Sequence, residues 1–195
     1  MKTSIKNIHS LFLKYHVYFY IGMVALVLID LISKKVMEAI LLNDSDNRIT
    51  VIENFFTLSL LYNTGAFSGI LGGSYLGRLI LVLISLICGV IMILGFNRYY
   101  SVINNFEKYG LLFAIPGTLG NLYDRFLMII GQQEGVIDFL EFDLGFMVWN
   151  TFNLADAFLV GGIIAFGVGY LIRESKNDKK NDNNVVDGTN ELGCC

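Results

Sequence analysis

Apolar residues dominate four stretches of the chain, at about residues 17–35, 77–97, 109–128 and 150–172, and polar residues crowd at particular ends of them. Each stretch approaches the ~20 residues that a helix needs to cross the hydrocarbon core of a bilayer. From Leu79 to Phe96 the second is uncharged throughout. The pattern predicts a mainly α membrane protein with four transmembrane helices. A different period appears at residues 50–63, "TVIENFFTLSLLYN", where Thr57 and Ser59 alternate with Leu58 and Leu60 among β-branched and aromatic residues. It predicts one or two strands of a small extracytoplasmic β-sheet.

The segments between and beyond the spans are less regular. Residues 1–16 place Ile5, Ile8, Leu11, Phe12 and Tyr15 on one helical face, as in a short amphipathic helix lying on the inner membrane surface or extending span one. Residues 63–77 are Gly-rich and predict a loop dipping toward the membrane, and the outer loop from about 125 to 150 contains "GVIDFLEFDLGF". Pro116 marks a kink or an irregular end in span three. Residues 1–173 therefore form a single membrane domain, and 174–195 a polar tail with the composition of disorder.

Composition supports the membrane class: 54% of residues are hydrophobic and 16% charged. The net charge of −3 matters less than where Lys and Arg fall. Nine lie before span one, between spans two and three, or in the tail: Lys2, Lys6, Lys14, Arg98, Lys108, Arg173, Lys176, Lys179 and Lys180. Five fall on the other side: Lys34, Lys35, Arg48, Arg78 and Arg125. Both termini are thus expected in the cytoplasm. No small-x-small cleavage site follows the first apolar run, which argues for an uncleaved span. Cys88, Cys194 and Cys195 provide neither a disulfide framework nor a zinc spacing.

With that orientation the intramembrane polar groups converge. Asp30 and Lys34 lie at the outer end of span one, Asn121, Asp124 and Arg125 at the outer end of span three, and Asn153 and Asp156 in the first turns of span four. Spacings of three and four put each set on one helical face. Ion pairing alone would account for Asp30 and Lys34, and an interhelical hydrogen bond for Asn153. Asp156 has no cation near it on its own helix. A carboxylate in a span costs roughly 2.5–3.5 kcal/mol on insertion scales, which marks it as functional.

His9 and His16, the two histidines, lie at the cytoplasmic end, so a Ser-His-Asp or Cys-His arrangement or a His-ligated zinc at the outer face is excluded. No phosphate-binding loop occurs. What remains is a carboxylate pair, one protonated and one activating water, or a Ser/Lys hydrolase using Lys34. Asp124, Asp138, Glu141 and Asp143 are all open as partners for Asp156, with Glu134, Glu141 and Asp143 expected in a solvated loop. A proton- or cation-coupled transporter would also bury acids, but span two and the inner half of the bundle offer it no polar path.

The motifs "DLISK" (30–34), "NTGAF" (63–67), "GTLGNLYDR" (117–125), "VIDF" (136–139) and "FNLAD" (152–156), in this order along about residues 17–172, resemble those of the lipoprotein signal peptidases, or signal peptidase II. The resemblance implies an aspartyl endopeptidase of the bacterial plasma membrane, multi-pass, with its active site near the extracytoplasmic face. It would cut the signal peptide from a prolipoprotein just before the diacylglyceryl-modified cysteine. By the same resemblance Asp138 and Asp156 are the catalytic dyad, while Asp30, Lys34, Asn63, Gly65, Asn121, Asp124, Arg125, Asn153 and Ala155 bind substrate or support the site. The implied partners are the lipid-modified prolipoprotein and membrane lipids. No metal, organic cofactor or nucleic acid is expected, and the chain is expected to be a monomer. The chain departs from the family pattern in Phe67 directly after Ala66, in Asn150 where a proline is usual, and in a longer stretch around "MIIGQQ".

Overall fold

The computed structural model describes residues 2–66 and 71–191, with side chains from 17 to 178 apart from 67–70 and 148. There are four helices, α1 (Lys2–Leu41), α2 (Tyr75–Tyr99), α3 (Asn105–Ile129) and α4 (Leu154–Glu191), with one hairpin, β1 (Arg48–Ile52) and β2 (Phe56–Asn63), between α1 and α2 and another, β3 (Val136–Asp143) and β4 (Val148–Phe152), between α3 and α4. Among the described residues three segments are long and apolar enough to cross a membrane: Val17–Leu41, Tyr75–Tyr99 and Leu154–Asp178. The remaining expected span corresponds to α3, which matches α2 in length but is more polar.

The polarity of α3 follows from its position. It is the central helix, packed on α1, α2 and α4 and most extensively on α4. That approach depends on glycine. A Cβ on Gly110 would fall 2.8 Å from the Gly162 carbonyl, and one on Gly162 2.6 Å from the Gly110 carbonyl, so the α3 and α4 backbones lie in direct contact. The bundle is inverted relative to a water-soluble one. Leu76, Ile87, Leu94, Ile164 and Leu171 face outward, whereas Asp30, Lys34, Asn121, Asp124 and Asn153 are buried. Pro116 lies within α3, which continues through it to Ile129.

The sheet is antiparallel in the order β1-β2-β3-β4. It is larger than the one or two strands expected, because the second outer loop folds into β3 and β4. Glu141, expected in a solvated loop, sits on β3 at 2.5 Å from Arg48 of β1; Asp143 ends that strand and accepts from the Gly145 amide at 2.8 Å. Leu41, Ile137 and Phe139 seat the sheet on the end of α1, with Met37 packed against them. This explains why α1 runs to Leu41 rather than ending near Lys35. Both terminal segments continue the neighbouring helices, and for residues 2–16 this is the extension of span one. Residues 2–16 form one continuous helix with the rest of α1, although the face their side chains present lies outside the described residues. In the structure α4 runs on past Glu174 to Glu191, since no proline stops it and extending a formed helix carries no nucleation cost. Residues 67–70 of the Gly-rich loop lie outside the described residues; its far end is Ser74, whose hydroxyl accepts from the Gly77 amide to cap α2.

Candidate active site

The site begins with Lys34. Its ammonium has three protons and three acceptors: Asp30 at 2.7 Å on its own helix, Asp124 at 2.9 Å and the Asn121 carbonyl at 3.0 Å on α3. Lys34 is 1% exposed and Asp30 0%, so each charge depends on the others for solvation. With every proton engaged, the ammonium is poorly suited to act as a general base. Ser33 points elsewhere, donating to the Asp30 carbonyl at 2.8 Å.

Asp30 also acts at a distance that sequence spacing does not show. Its second carboxylate oxygen accepts from the Ala155 amide at 2.8 Å, in the first turn of α4. An anion there satisfies an orphan donor and complements the helix dipole. Asn153 caps the same end. Its side-chain oxygen accepts from the Asp156 amide at 3.0 Å, while the Asp156 carboxylate accepts from the Asn153 amide at 3.2 Å. The pair forms a reciprocal cap. The cap holds the Asp156 side chain at the mouth of α4, and Asn121 fixes its other oxygen with a donated bond of 2.7 Å.

Asp138 arrives from the sheet. In β3 it pairs with Leu61 of β2 and is almost wholly buried. One of its oxygens accepts from the Asn153 amide group at 2.6 Å and the other from Asn63 at 3.0 Å. Asn63 is itself oriented because its carbonyl accepts from the Gly65 amide at 3.0 Å. Asn153 reaches Asn121 as well, at 3.1 Å. Two asparagines therefore join the carboxylates: Asn121 links Lys34 to Asp156, and Asn153 links Asn121 to Asp138. Burial, and after it the negative charge of Asp156, push the Asp138 carboxyl up to about 7, against the lowering effects of Asn63, Asn153 and Lys34.

Arg125 turns toward α2, where it donates to the Ser85 hydroxyl at 3.3 Å, and its buried Nε has no hydrogen-bond partner among the described residues. Every expected site residue thus lies in or beside one network across α1, β2, β3, α3 and α4. Among the described residues no cluster of three or more His, Cys, Asp or Glu is arranged to hold a metal. Glu134 stays exposed in the loop before β3.

Two polar contacts escaped the sequence reading. Tyr62 donates to Glu38 at 2.7 Å and thereby ties β2 to α1 one residue before Asn63. Glu107, fully buried, meets Arg173 at 3.0 and 3.1 Å and joins the start of α3 to α4. Asn104 and Glu107 carry the spacing of a capping box, a signal visible in the sequence.

Comparison with known proteins places the chain in a family. Residues 22–172 match the family described as Signal peptidase (SPase) II. The chain is 35% identical over 147 residues to the lipoprotein signal peptidase of Sulfurihydrogenibium sp. (strain YO3AOP1), covering 74% of this chain and 85% of the relative. It is 35% identical to that of Clostridium novyi (strain NT), covering 68% and 83%. A bacterial membrane enzyme solved by the in meso method at 2.3 Å resolution shares the fold with a TM-score of 0.63 and 25% identity, covering 82% of this chain and 90% of that one.

Proposed function

The chain belongs to the signal peptidase II family, and from that premise we propose that it removes the signal peptide from diacylglyceryl-modified prolipoproteins with Asp138 and Asp156 as an aspartic dyad. As a member of the family it is a protease of a bacterial membrane; the dyad, the cut before the lipidated cysteine and the orientation are our reading. The observation that carries it is the convergence of two carboxylates from distant parts of the chain. Asp138 of β3 and Asp156 of α4 are each held by asparagine donors, and among the described residues no cation pairs directly with either.

Asp138, the deeper of the two, holds a proton near neutral pH, because a second negative charge beside Asp156 is unfavourable in a buried site. Asp156 takes a proton from water as the water oxygen attacks the scissile carbonyl carbon. Asp138 gives its proton to the carbonyl oxygen, forming a neutral tetrahedral intermediate. As the C–N bond breaks, the amine nitrogen takes the proton from Asp156, and the new carboxyl group returns one to Asp138. The unpartnered Nε of Arg125 and the side chain of Asn63 are the donors closest in role to a substrate carbonyl or lipid ester. In this reading α3 is the fourth span, both termini are cytoplasmic, the sheet lies at the outer face, and one chain contains every residue that the chemistry needs.

The test is cleavage of a diacylglyceryl-modified prolipoprotein by purified protein, with Asp138→Asn and Asp156→Asn alongside. The reading expects cutting before the lipidated cysteine by the wild type alone, with both variants folded. A folded Asp138→Asn variant that still cuts would remove Asp138 from the mechanism. Among the alternatives, the Ser/Lys hydrolase is disfavoured by the three-way engagement of Lys34.

A further inference from the structure

A cavity of about 530 Å³ lies between α2 and α4, with α3 as its floor. Its lining is aliphatic and aromatic: Ile91 and Met92 of α2, Leu111 and Ala114 of α3, Ile163 and Phe166 of α4. Its inner mouth carries Tyr99 and Tyr170, and the Glu107–Arg173 pair closes its base. None of these residues belongs to the site above. We propose that this groove binds one face of the signal peptide's apolar segment while the dyad cuts its outer end; the proposal rests on the peptidase reading.

Helix rise sets the distances. Ile163 lies seven residues below Asp156 on α4, and Ala114 seven below Asn121 on α3, so the groove opens about 10 Å beneath the dyad. Three extended residues at ~3.3 Å each span that gap, which places an apolar helix immediately after a short extended stretch. Signal peptides have this anatomy: an apolar run of about 7–15 residues, preceded by a basic segment and followed by a short cleavage region. The groove continues to Arg173, about 26 Å below Asp156. The substrate's own acyl chains start at the outer face of a core about 30 Å thick, so they end near the midplane, about 15 Å down. The signal peptide is the part of the substrate that crosses to the inner half. A phospholipid of the inner leaflet is a weaker fit, because Arg173 already gives two contacts to Glu107.

Gly95 provides a clean perturbation. It lines the groove, and a Cβ added there meets no atom within 4 Å, so a larger side chain at this position starts in open space at the groove. Gly95→Phe should lower kcat/KM for a complete diacylglyceryl-modified prolipoprotein by about tenfold or more, and change it less than about twofold for a diacylglyceryl peptide lacking the apolar segment. Gly161→Phe, which also enters open space but lies off the groove, should leave both unchanged. A photo-crosslinking residue at Met92 should capture the signal peptide, and one at the outward-facing Leu94 should not. Equal losses on both substrates, or no loss together with no capture from Met92, would overturn the groove assignment and leave the inner-leaflet lipid as occupant. If Met92 captures the signal peptide while the wild type cuts nothing, the groove stands and the peptidase reading falls.

Discussion

Asn153 and Asp156 cap each other: the amide of each donates to the side chain of the other across the first turn of α4, at 3.2 and 3.0 Å. One carboxylate therefore both starts a helix and, in the proposed mechanism, activates water. The two roles separate by substitution. In Asp156→Asn an oxygen still accepts from the Asn153 amide, so the helix start is retained; in Asp156→Ala it is lost, at about 1 kcal/mol. Both variants should lose activity by about 10²–10⁴-fold. Only Asp156→Ala should unfold at a lower temperature in detergent. Equal stability of the two variants would show that the cap contributes nothing.

Lys34 tests how the site holds its charge. Replacing it by Met leaves Asp30 and Asp124 buried without their shared ammonium, a loss of about 3–5 kcal/mol. It also removes one of the two donors to the Asn121 carbonyl, leaving Asn153 alone to hold the side chain whose amide orients Asp156. Lys34→Met should accumulate poorly and melt early, and any folded fraction should keep measurable cleavage. A stable, fully inactive Lys34→Met protein would instead point to Lys34 as the chemical group. Thermal unfolding and turnover per folded molecule distinguish the two.

The sequence made half of this arrangement legible. Polar residues at the outer ends of apolar runs marked Asp30, Lys34, Asn121, Asp124, Asn153 and Asp156, because a bilayer makes such residues costly and therefore visible. Alternation at 56–63 marked β2. The second hairpin was hidden, since β3 buries Asp138 among Val136, Ile137 and Phe139, and a carboxylate at a buried position breaks the period on which strand detection relies. The choice of Asp138 over Asp124 came from resemblance alone. Local spacing puts Asp124 and Arg125 on one helical face, yet Asp124 pairs with Lys34 and Arg125 reaches Ser85. The bond from Ala155 to Asp30 spans 125 positions, and no local pattern encodes it.

Tyr62 and Glu38 form the joint between membrane helix and sheet. Burial, then the hydrogen bond and charge of Glu38, push the Tyr62 phenol up to about 12, so it remains a donor at any working pH. The next residue, Asn63, holds Asp138. Tyr62→Phe should lower kcat by about threefold to tenfold with little change in KM, since it loosens a positioning contact rather than a binding one. Glu38→Gln keeps an acceptor and should stay near wild type, whereas Glu38→Leu should match Tyr62→Phe. Additive losses in the double variant Tyr62→Phe/Glu38→Leu would show that the two act separately.

Asp138 should leave its mark on both stability and rate. Its carboxyl stands at about 7 in the folded protein and near 3.9 when unfolded. Between those values the folded state binds a proton that the unfolded state lacks, so stability should fall as pH rises from about 4 to about 7 and level off above. Asp138→Asn abolishes this titration, and its stability should lack that decline even if its absolute value is lower. Activity follows the same proton: with Asp138 as acid, kcat/KM should fall as pH rises through about 7. Asn63 lowers the Asp138 value by donating to it, so Asn63→Ala should move the falling limb to higher pH, by up to about one unit, while reducing the maximum. A pH series on one lipid-modified substrate, in a detergent without titratable groups, reads both effects. A limb that stays in place in Asn63→Ala would assign it to another group.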